Sequence, residues 1–282
     1  MHKELNPTAP IGVFDSGIGG LTILNELTRQ LIHENFIYIA DQAYMPYGTK
    51  APELILQRCI QITDRLVQQG CKAIVVACNT ATAMAIDTLR SRFSLPIIGV
   101  EPAVKPALLH SQSKHVAVLA TPVTINSPRF RQLVYRYGSD ANTLLVPCPG
   151  WVELIESGPS NSEALRAFLS ESLQPLLDSH VDSIVLGCTH YPILKNELVE
   201  VTQNRVSFFD SAAGVSRQLL RVIEAHRSMS ENRTVHLFST SKQNYLAPFV
   251  NRYISSLKVD LIESVHLPLP EVNKLELETS QA

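Results

Sequence analysis

The chain has no uninterrupted apolar run approaching the roughly 18 residues a membrane span needs, and residues 1–10 carry no apolar signal-peptide core. A cytoplasmic protein with no membrane partner is expected. Cysteine is scarce and odd in number, five in 282 residues, and no CxxC pair occurs. That argues against a disulfide framework and against a metal site of standard spacing. No GxxxxGK[ST] phosphate loop is present, and Gly17-Ile18-Gly19-Gly20 lacks the third glycine of a dinucleotide loop, because Thr22 stands there. No lysine lies in a motif that marks a Schiff-base cofactor, so activity without a cofactor is expected. The formal net charge is −2 with Lys and Arg scattered, which gives no basic stripe for nucleic acid. What remains is an ordinary globular composition, 45% hydrophobic and 18% charged, in a length that suits roughly two domains.

Short apolar runs bounded by turn residues recur at 11–14, 36–40, 73–77 and 96–100, and again at 116–120, 143–146, 183–187 and 206–209. Their second residues are spaced by 25, 37 and 23 positions in the first set and by 27, 40 and 23 in the second. Four matched elements in one order imply an internal repeat. Between the runs lie stretches with helical periodicity. Residues 52–69 bring Leu54, Ile55, Cys59, Ile62, Leu66 and Val67 near one face, with Pro52 at the start and Gly70 past the end. Residues 162–179 do the same with Leu165, Phe168, Leu169, Leu173, Leu176 and Leu177. Strands alternating with amphipathic helices imply right-handed crossovers and parallel sheets covered on both faces. The fold expected is α/β: two pseudo-symmetric open lobes, mainly parallel, with the active site in the cleft between them.

Ligands in such sheets bind at the carboxyl ends of strands. Those ends carry Asp15-Ser16-Gly17, Asp41-Gln42 leading to Pro46-Tyr47-Gly48, Cys78-Asn79-Thr80 and Glu101 in the first half. In the second half they carry Thr121-Pro122, Pro147-Cys148-Pro149, Cys188-Thr189-His190 and Asp210-Ser211. Cys78 and Cys188 end equivalent runs, and a helix beginning after each would lower its thiol pKa. Cys59, Cys71 and Cys148 are read as packing. Two thiols facing one substrate suit inversion at a carbon, which needs a proton removed from one face and supplied to the other. A cysteine with an ordinary pKa of about 8.5 can act as base or acid near neutral pH. The Ser, Thr, Asn and Gly of these loops, together with backbone N–H groups at helix starts, suit a small carboxylate. The hydroxyls of Ser16, Thr80, Thr121 and Thr189 can stabilise charge moving onto it. Asp15 and His190 stand beside the thiols as further proton-handling groups.

The segments Asp15-Ser16-Gly17-Ile18-Gly19-Gly20-Leu21-Thr22, Pro46-Tyr47-Gly48, Ala77-Cys78-Asn79-Thr80-Ala81 and Gly187-Cys188-Thr189-His190-Tyr191-Pro192 resemble the signature segments of the glutamate racemases. That family lies within the cofactor-independent aspartate/glutamate racemase superfamily. The resemblance implies interconversion of L- and D-glutamate, supplying D-glutamate for peptidoglycan. Cys78 is then the base for the D-substrate and Cys188 for the L-substrate. Asp15-Ser16, Pro46-Tyr47-Gly48, Asn79-Thr80, Thr121 and Thr189-His190 hold substrate. Asp15, Asp41, Glu153 and His190 match supporting acid/base positions. The resemblance further implies that residues 211–282 return to a first lobe of residues 1–99, with 100–210 as the second lobe. A strand over 235–239 and a helix after it would belong to this return, and hinge motion is expected near Val100 and Asp210. A homodimer is compatible with the sequence, and 267–282 read as a loose end. Three other functions fit less of the pattern: another acid racemase with both thiols, a metal or redox protein using Cys78, Cys188 and His190, and a two-lobed binding protein without catalysis.

Overall fold

Strands buried on both faces need helices above and below, and every connection between successive strands carries at least one. The computed structural model describes residues 6–137, 142–158, 163–242, 246–253 and 257–268. One sheet is built from β1 (Ile11–Asp15), β2 (Phe36–Ala40), β3 (Ala73–Val76), β4 (Ile97–Gly99), β9 (Val235–Ser239) and β10 (Leu261–Ser264). The other comprises β5 (His115–Ala120), β6 (Asn142–Pro147), β7 (Ser183–Leu186) and β8 (Ser207–Phe209). Between them run α1 (Gly20–Gln30), α2 (Pro52–Gln68), α3 (Asn79–Arg92), α4 (Val104–His110), α5 (Pro122–Asn126), α6 (Pro128–Tyr137), α7 (Trp151–Glu156), α8 (Glu163–Asp178), α9 (Lys195–Val201), α10 (Ala212–Ile223) and α11 (Leu246–Tyr253).

All pairings are parallel, and the strand orders are β10-β9-β2-β1-β3-β4 and β6-β5-β7-β8. The inner order β2-β1-β3-β4 of the first sheet is thus repeated as β6-β5-β7-β8, the duplication that the spacing of apolar runs implies. The central strands β1, β3 and β7 are buried at every position, whereas the edge strand β6 is half-buried or exposed throughout. That contrast explains why the central strands read as continuous apolar runs. The return of the chain is also seen: β9 pairs with β2, Ala40 opposite Ser239. At the amino ends of the strands, buried Lys72 pairs with Glu34 at 2.6 Å and donates to the His226 carbonyl at 2.8 Å. This clamp fixes the segment that leads into β9. Residues 269–282, most of the stretch read as a loose end, lie outside the described residues.

Helix α2 buries Ile55, Cys59, Ile62 and Leu66 as expected, but Val67 is exposed and Arg58 is buried instead. A buried guanidinium requires a fixed anion, and Asp41 supplies it. Helix α8 buries Leu165, Leu169, Leu173 and Leu176, while Phe168 is partly exposed and tilts over Trp151 at 6.1 Å. The two connections between the sheets lie together, since Ser211 Oγ donates to the Glu101 carbonyl at 2.6 Å. Beyond that point α10 packs on α1 and β4 of the first sheet. Among the described residues no helix is long and apolar enough to cross a membrane.

Candidate active site

The carboxyl ends of β1, β2, β3, β5 and β7 converge between the sheets. Cys78 caps α3, its Sγ accepting from the Ala81 amide at 3.4 Å, and it lies 4.0 Å from Ser16 Oγ. Cys188 has a different setting. The chain after it makes a turn and a short 3-10 helix, Tyr191–Leu194, so the helix start expected behind this thiol is absent. Its partner is His190, whose Nδ1 is 3.7 Å from Sγ. Both cysteines are free and buried.

The electrostatics of the two thiols follow from these neighbours. Burial pushes the Cys78 thiol well above its ordinary value, and the Asp15 charge adds to this, while the Ala81 amide works the other way. The lowering expected from a helix N-terminus is therefore overridden, because desolvation and a nearby carboxylate both penalise a thiolate. Asp15 itself is raised by burial against the opposing pull of His190. Burial opposes charge on His190 too. Its bonds to Cys188 and Glu156 and the charges of Cys188 and Asp15 outweigh that cost and hold the imidazole well above its usual pKa. One thiol thus sits in a setting that keeps its proton, and the other sits beside a cationic imidazole.

Glu156 is the functional residue that the sequence reading missed. Its Oε1 meets His190 Nε2 at 2.7 Å and accepts from the Ile18 amide at 2.7 Å, with both side chains of the ion pair buried. Glu153, the residue assigned to this role from sequence, is exposed on α7 and does not enter the site. Val152, Ile155 and Glu156 stand at i, i+3 and i+4, one stripe of a helix, and Glu153 is turned about 100° away from Val152. That stripe was the available signal.

The glycine run after Asp15 is explained by what crosses it. A Cβ on Gly19 would come within 2.2 Å of His190 Nδ1, and one on Gly17 within 1.8 Å of Glu156 Oε1. The loop is shaped to receive the His190–Glu156 pair, not a nucleotide. Beneath it, Tyr38 donates to the Gly17 carbonyl at 2.6 Å. Asp15 accepts from the amides of Ser16, at 2.6 Å, and Gly20, and Thr189 Oγ1 donates to it at 3.2 Å from the other sheet.

Among the described residues Asp41 makes no bond to Cys78 or Cys188; its charge adds to the effect of burial in raising the thiol of Cys59. Its carboxylate takes a bidentate pair from Arg58 at 2.7 and 2.9 Å, the Tyr47 hydroxyl at 2.5 Å and Thr240 Oγ1 at 2.8 Å. These four bonds use all its acceptor capacity, and the one from Tyr47 ties it to the Pro46-Tyr47-Gly48 turn. That turn reaches across to the end of β5 in the other sheet, where a Cβ on Gly48 would lie 2.9 Å from Thr121 Cβ. Thr121, Thr80 and Thr124 hydroxyls form a triangle with sides of 3.0, 3.3 and 2.9 Å. Asn79 is buried, and neither end of its carboxamide has a partner. A cavity of about 650 Å³ reaches Asn79, Cys188 and Thr189. Elsewhere, burial alone pushes Cys71 up to about 12, and burial with the Cys188 charge does so for Cys148, in keeping with packing roles. Among the described residues no group of three or more His, Cys, Asp or Glu could hold a metal ion.

Comparison with known proteins agrees with this geometry. The family model described as Asp/Glu/hydantoin racemase matches residues 15–218. A glutamate racemase of Pseudomonas syringae pv. tomato is 49% identical over 226 residues, 79% of this chain and 82% of that protein. Among solved structures, Escherichia coli glutamate racemase in complex with L-glutamate and the activator UDP-MurNAc-Ala superposes with a TM-score of 0.83 at 28% identity, covering 93% of this chain and 100% of that one. Francisella tularensis glutamate racemase in complex with D-glutamate gives a TM-score of 0.79 at 31% identity, covering 92% and 98%. The chain belongs to the Asp/Glu/hydantoin racemase family.

Proposed function

We propose that the protein interconverts L- and D-glutamate by two-base proton transfer, with Cys78 and Cys188 on opposite faces of the α-carbon. The carrying observation is that Cys78 and Cys188 end equivalent strands of the two sheets, close enough for the charge of one to act on the other, with Asp15 and Ser16 beside the first and His190 beside the second. Cys188, next to cationic His190, removes the α-proton of L-glutamate, and Cys78, kept as a thiol by burial and Asp15, delivers a proton to the other face. In the reverse direction Cys78 must first lose its proton, and Asp15 is the acceptor within its surroundings. His190 shuttles a proton at Cys188 with Glu156 balancing its charge.

Proton transfer alone does not make the α-carbanion accessible, so the substrate carboxylate has to be stabilised as charge moves onto it. The unpartnered Asn79 carboxamide supplies a donor for it, and the Thr80 and Thr121 hydroxyls, bonded to each other, can turn a proton toward it. The Tyr47-Gly48 turn, held by Asp41, offers backbone donors for the side-chain carboxylate. Residues 1–99 with 211–282 act as one lobe and 100–210 as the other, closing over the substrate by movement at the paired connections around Glu101 and Ser211. The setting is a bacterial cytoplasm in which D-glutamate enters peptidoglycan. A chiral assay of the purified protein with each enantiomer, without added cofactor, tests the reading. Racemisation of both is expected, and glutamate that is left unchanged refutes it. Faster turnover of aspartate would move the substrate assignment to another acid of the family.

A further inference from the structure

Gln42 takes no part in the chemistry derived above, yet its side chain joins the two lobes at Glu156. Its Nε2 donates to Glu156 Oε2 at 3.3 Å, and its Oε1 accepts from Ser239 Oγ at 2.7 Å. The direction of this relay is set at Glu156, whose carboxylate can only accept. Ser239 Oγ already accepts from the Ser241 amide at 3.1 Å, so its proton is free to go to the Gln42 oxygen. The amide then turns its only donor group toward Glu156, as a carboxylate requires. Ser239 is fully buried at the end of β9, beside Ala40 of β2, and Gln42 follows that strand by two residues. Glu156 Oε1 is occupied by His190 and the Ile18 amide, which leaves Oε2 to Gln42.

We propose that Gln42, oriented by Ser239, is a positioning residue for the Cys188 half of the site, holding Glu156 across the cleft in the orientation that bonds His190. The inference rests on the two-thiol reading of the preceding section. A buried carboxylate oxygen deprived of its donor is costly, so without Gln42 the Glu156 side chain rotates in search of another partner. The 2.7 Å bond to His190 goes with it. The bonds of the Cys78 half, to the Ala81 amide and Ser16, include neither Gln42 nor Ser239.

The test separates the half-reactions. Exchange of the α-hydrogen in D₂O is followed by NMR for L-glutamate with Cys78→Ala enzyme and for D-glutamate with Cys188→Ala enzyme. Into each background Gln42→Met, similar in size but without a donor, and Ser239→Ala are introduced. Gln42→Met is expected to slow L-glutamate exchange about tenfold, the worth of one hydrogen bond to a charged group. Ser239→Ala, which lets the amide turn, should slow it about threefold. Exchange of D-glutamate should change less than twofold (about 0.4 kcal/mol) in both. Equal slowing of both half-reactions marks a merely structural role and overturns the proposal, as does the absence of slowing in either. Parent single-thiol enzymes that exchange neither enantiomer would overturn the two-thiol reading itself, and this inference with it.

Discussion

His190 Nε2 and Glu156 Oε1 lie 2.7 Å apart with both side chains buried, while the other nitrogen of the same ring faces Cys188 Sγ at 3.7 Å. The ring is thus held between a carboxylate and a sulfur, a setting in which it stays cationic. Replacing Glu156 with Gln keeps the shape but removes the balancing charge, and kcat should fall about 10- to 100-fold. Glu153→Gln, on the exposed side of the same helix, should leave kcat within about twofold. The pair also links stability to pH. The folded pKa of His190 is raised above its unfolded value of about 6.5, so its stabilising contribution is complete below that value and is lost as pH rises through the folded pKa. Denaturant titrations should therefore show a larger loss from Glu156→Gln at about pH 6 than at alkaline pH. A loss that grows with pH instead would contradict a cationic His190.

Each thiol should retain half of the reaction when the other is removed. Cys78→Ala and Cys188→Ala are expected to lose inversion by a factor of about 10² to 10⁴, the usual contribution of one acid or base. Cys188 can still take the α-proton of L-glutamate and return a deuteron to the same face in D₂O, and Cys78 can do so for D-glutamate. One enantiomer should exchange without inverting in each variant, as read by NMR and a chiral assay. Exchange of both enantiomers by one variant would mean that a single base serves both faces.

These assignments were legible in unequal measure from the sequence. The repeat could be read because parallel strands buried on both sides, such as 73–76 and 183–186, leave continuous apolar runs, and their order carries the topology. The strand-end cysteines followed directly. Glu156 did not, since a two-turn helix with two acidic residues does not say which one faces inward until Val152 and Ile155 define its buried stripe. Arg58 was hidden for a related reason. In a helix read by its apolar positions an arginine counts as solvated, and only its partner Asp41, 17 residues away, makes burial tolerable. The elevated Cys78 thiol was missed because a helix N-terminus is visible in sequence, whereas the depth of burial that overrides it is a product of folding.

The Arg58–Asp41 pair should support both the fold and the substrate turn. Both side chains are almost completely buried. Arg58→Met leaves the Asp41 carboxylate without its cation, and about 3–5 kcal/mol of stability should be lost in urea denaturation. The double variant Asp41→Asn with Arg58→Met should recover most of it, because the remaining buried group is neutral. Tyr47 would still lack its 2.5 Å anchor to a carboxylate. The KM for glutamate should therefore stay elevated in the stable double variant. Recovery of both stability and KM would separate the ion pair from substrate positioning.

The unequal settings of the two thiols also constrain the kinetics in each direction. The enantiomers have equal free energy in water, so kcat/KM must be the same for both at every pH, whatever the enzyme does. Asymmetry can appear only as compensating changes in kcat and KM. Burial and Asp15 keep the proton on Cys78, and His190 places positive charge beside Cys188. A protonated Cys78 facing a cationic His190 is the arrangement suited to L-glutamate. D-Glutamate needs the other form, in which Cys78 has given its proton to Asp15 and Cys188 has taken one from His190, and its apparent affinity is reduced by the fraction of enzyme in that form. The KM for D-glutamate should exceed that for L-glutamate, with kcat larger by the same factor. Since the two forms carry the same number of protons, the KM ratio should hold constant across pH. Initial rates in both directions over a range of pH provide the measurement. A KM for L-glutamate equal to or above that for D-glutamate would place the resting proton on the other sulfur.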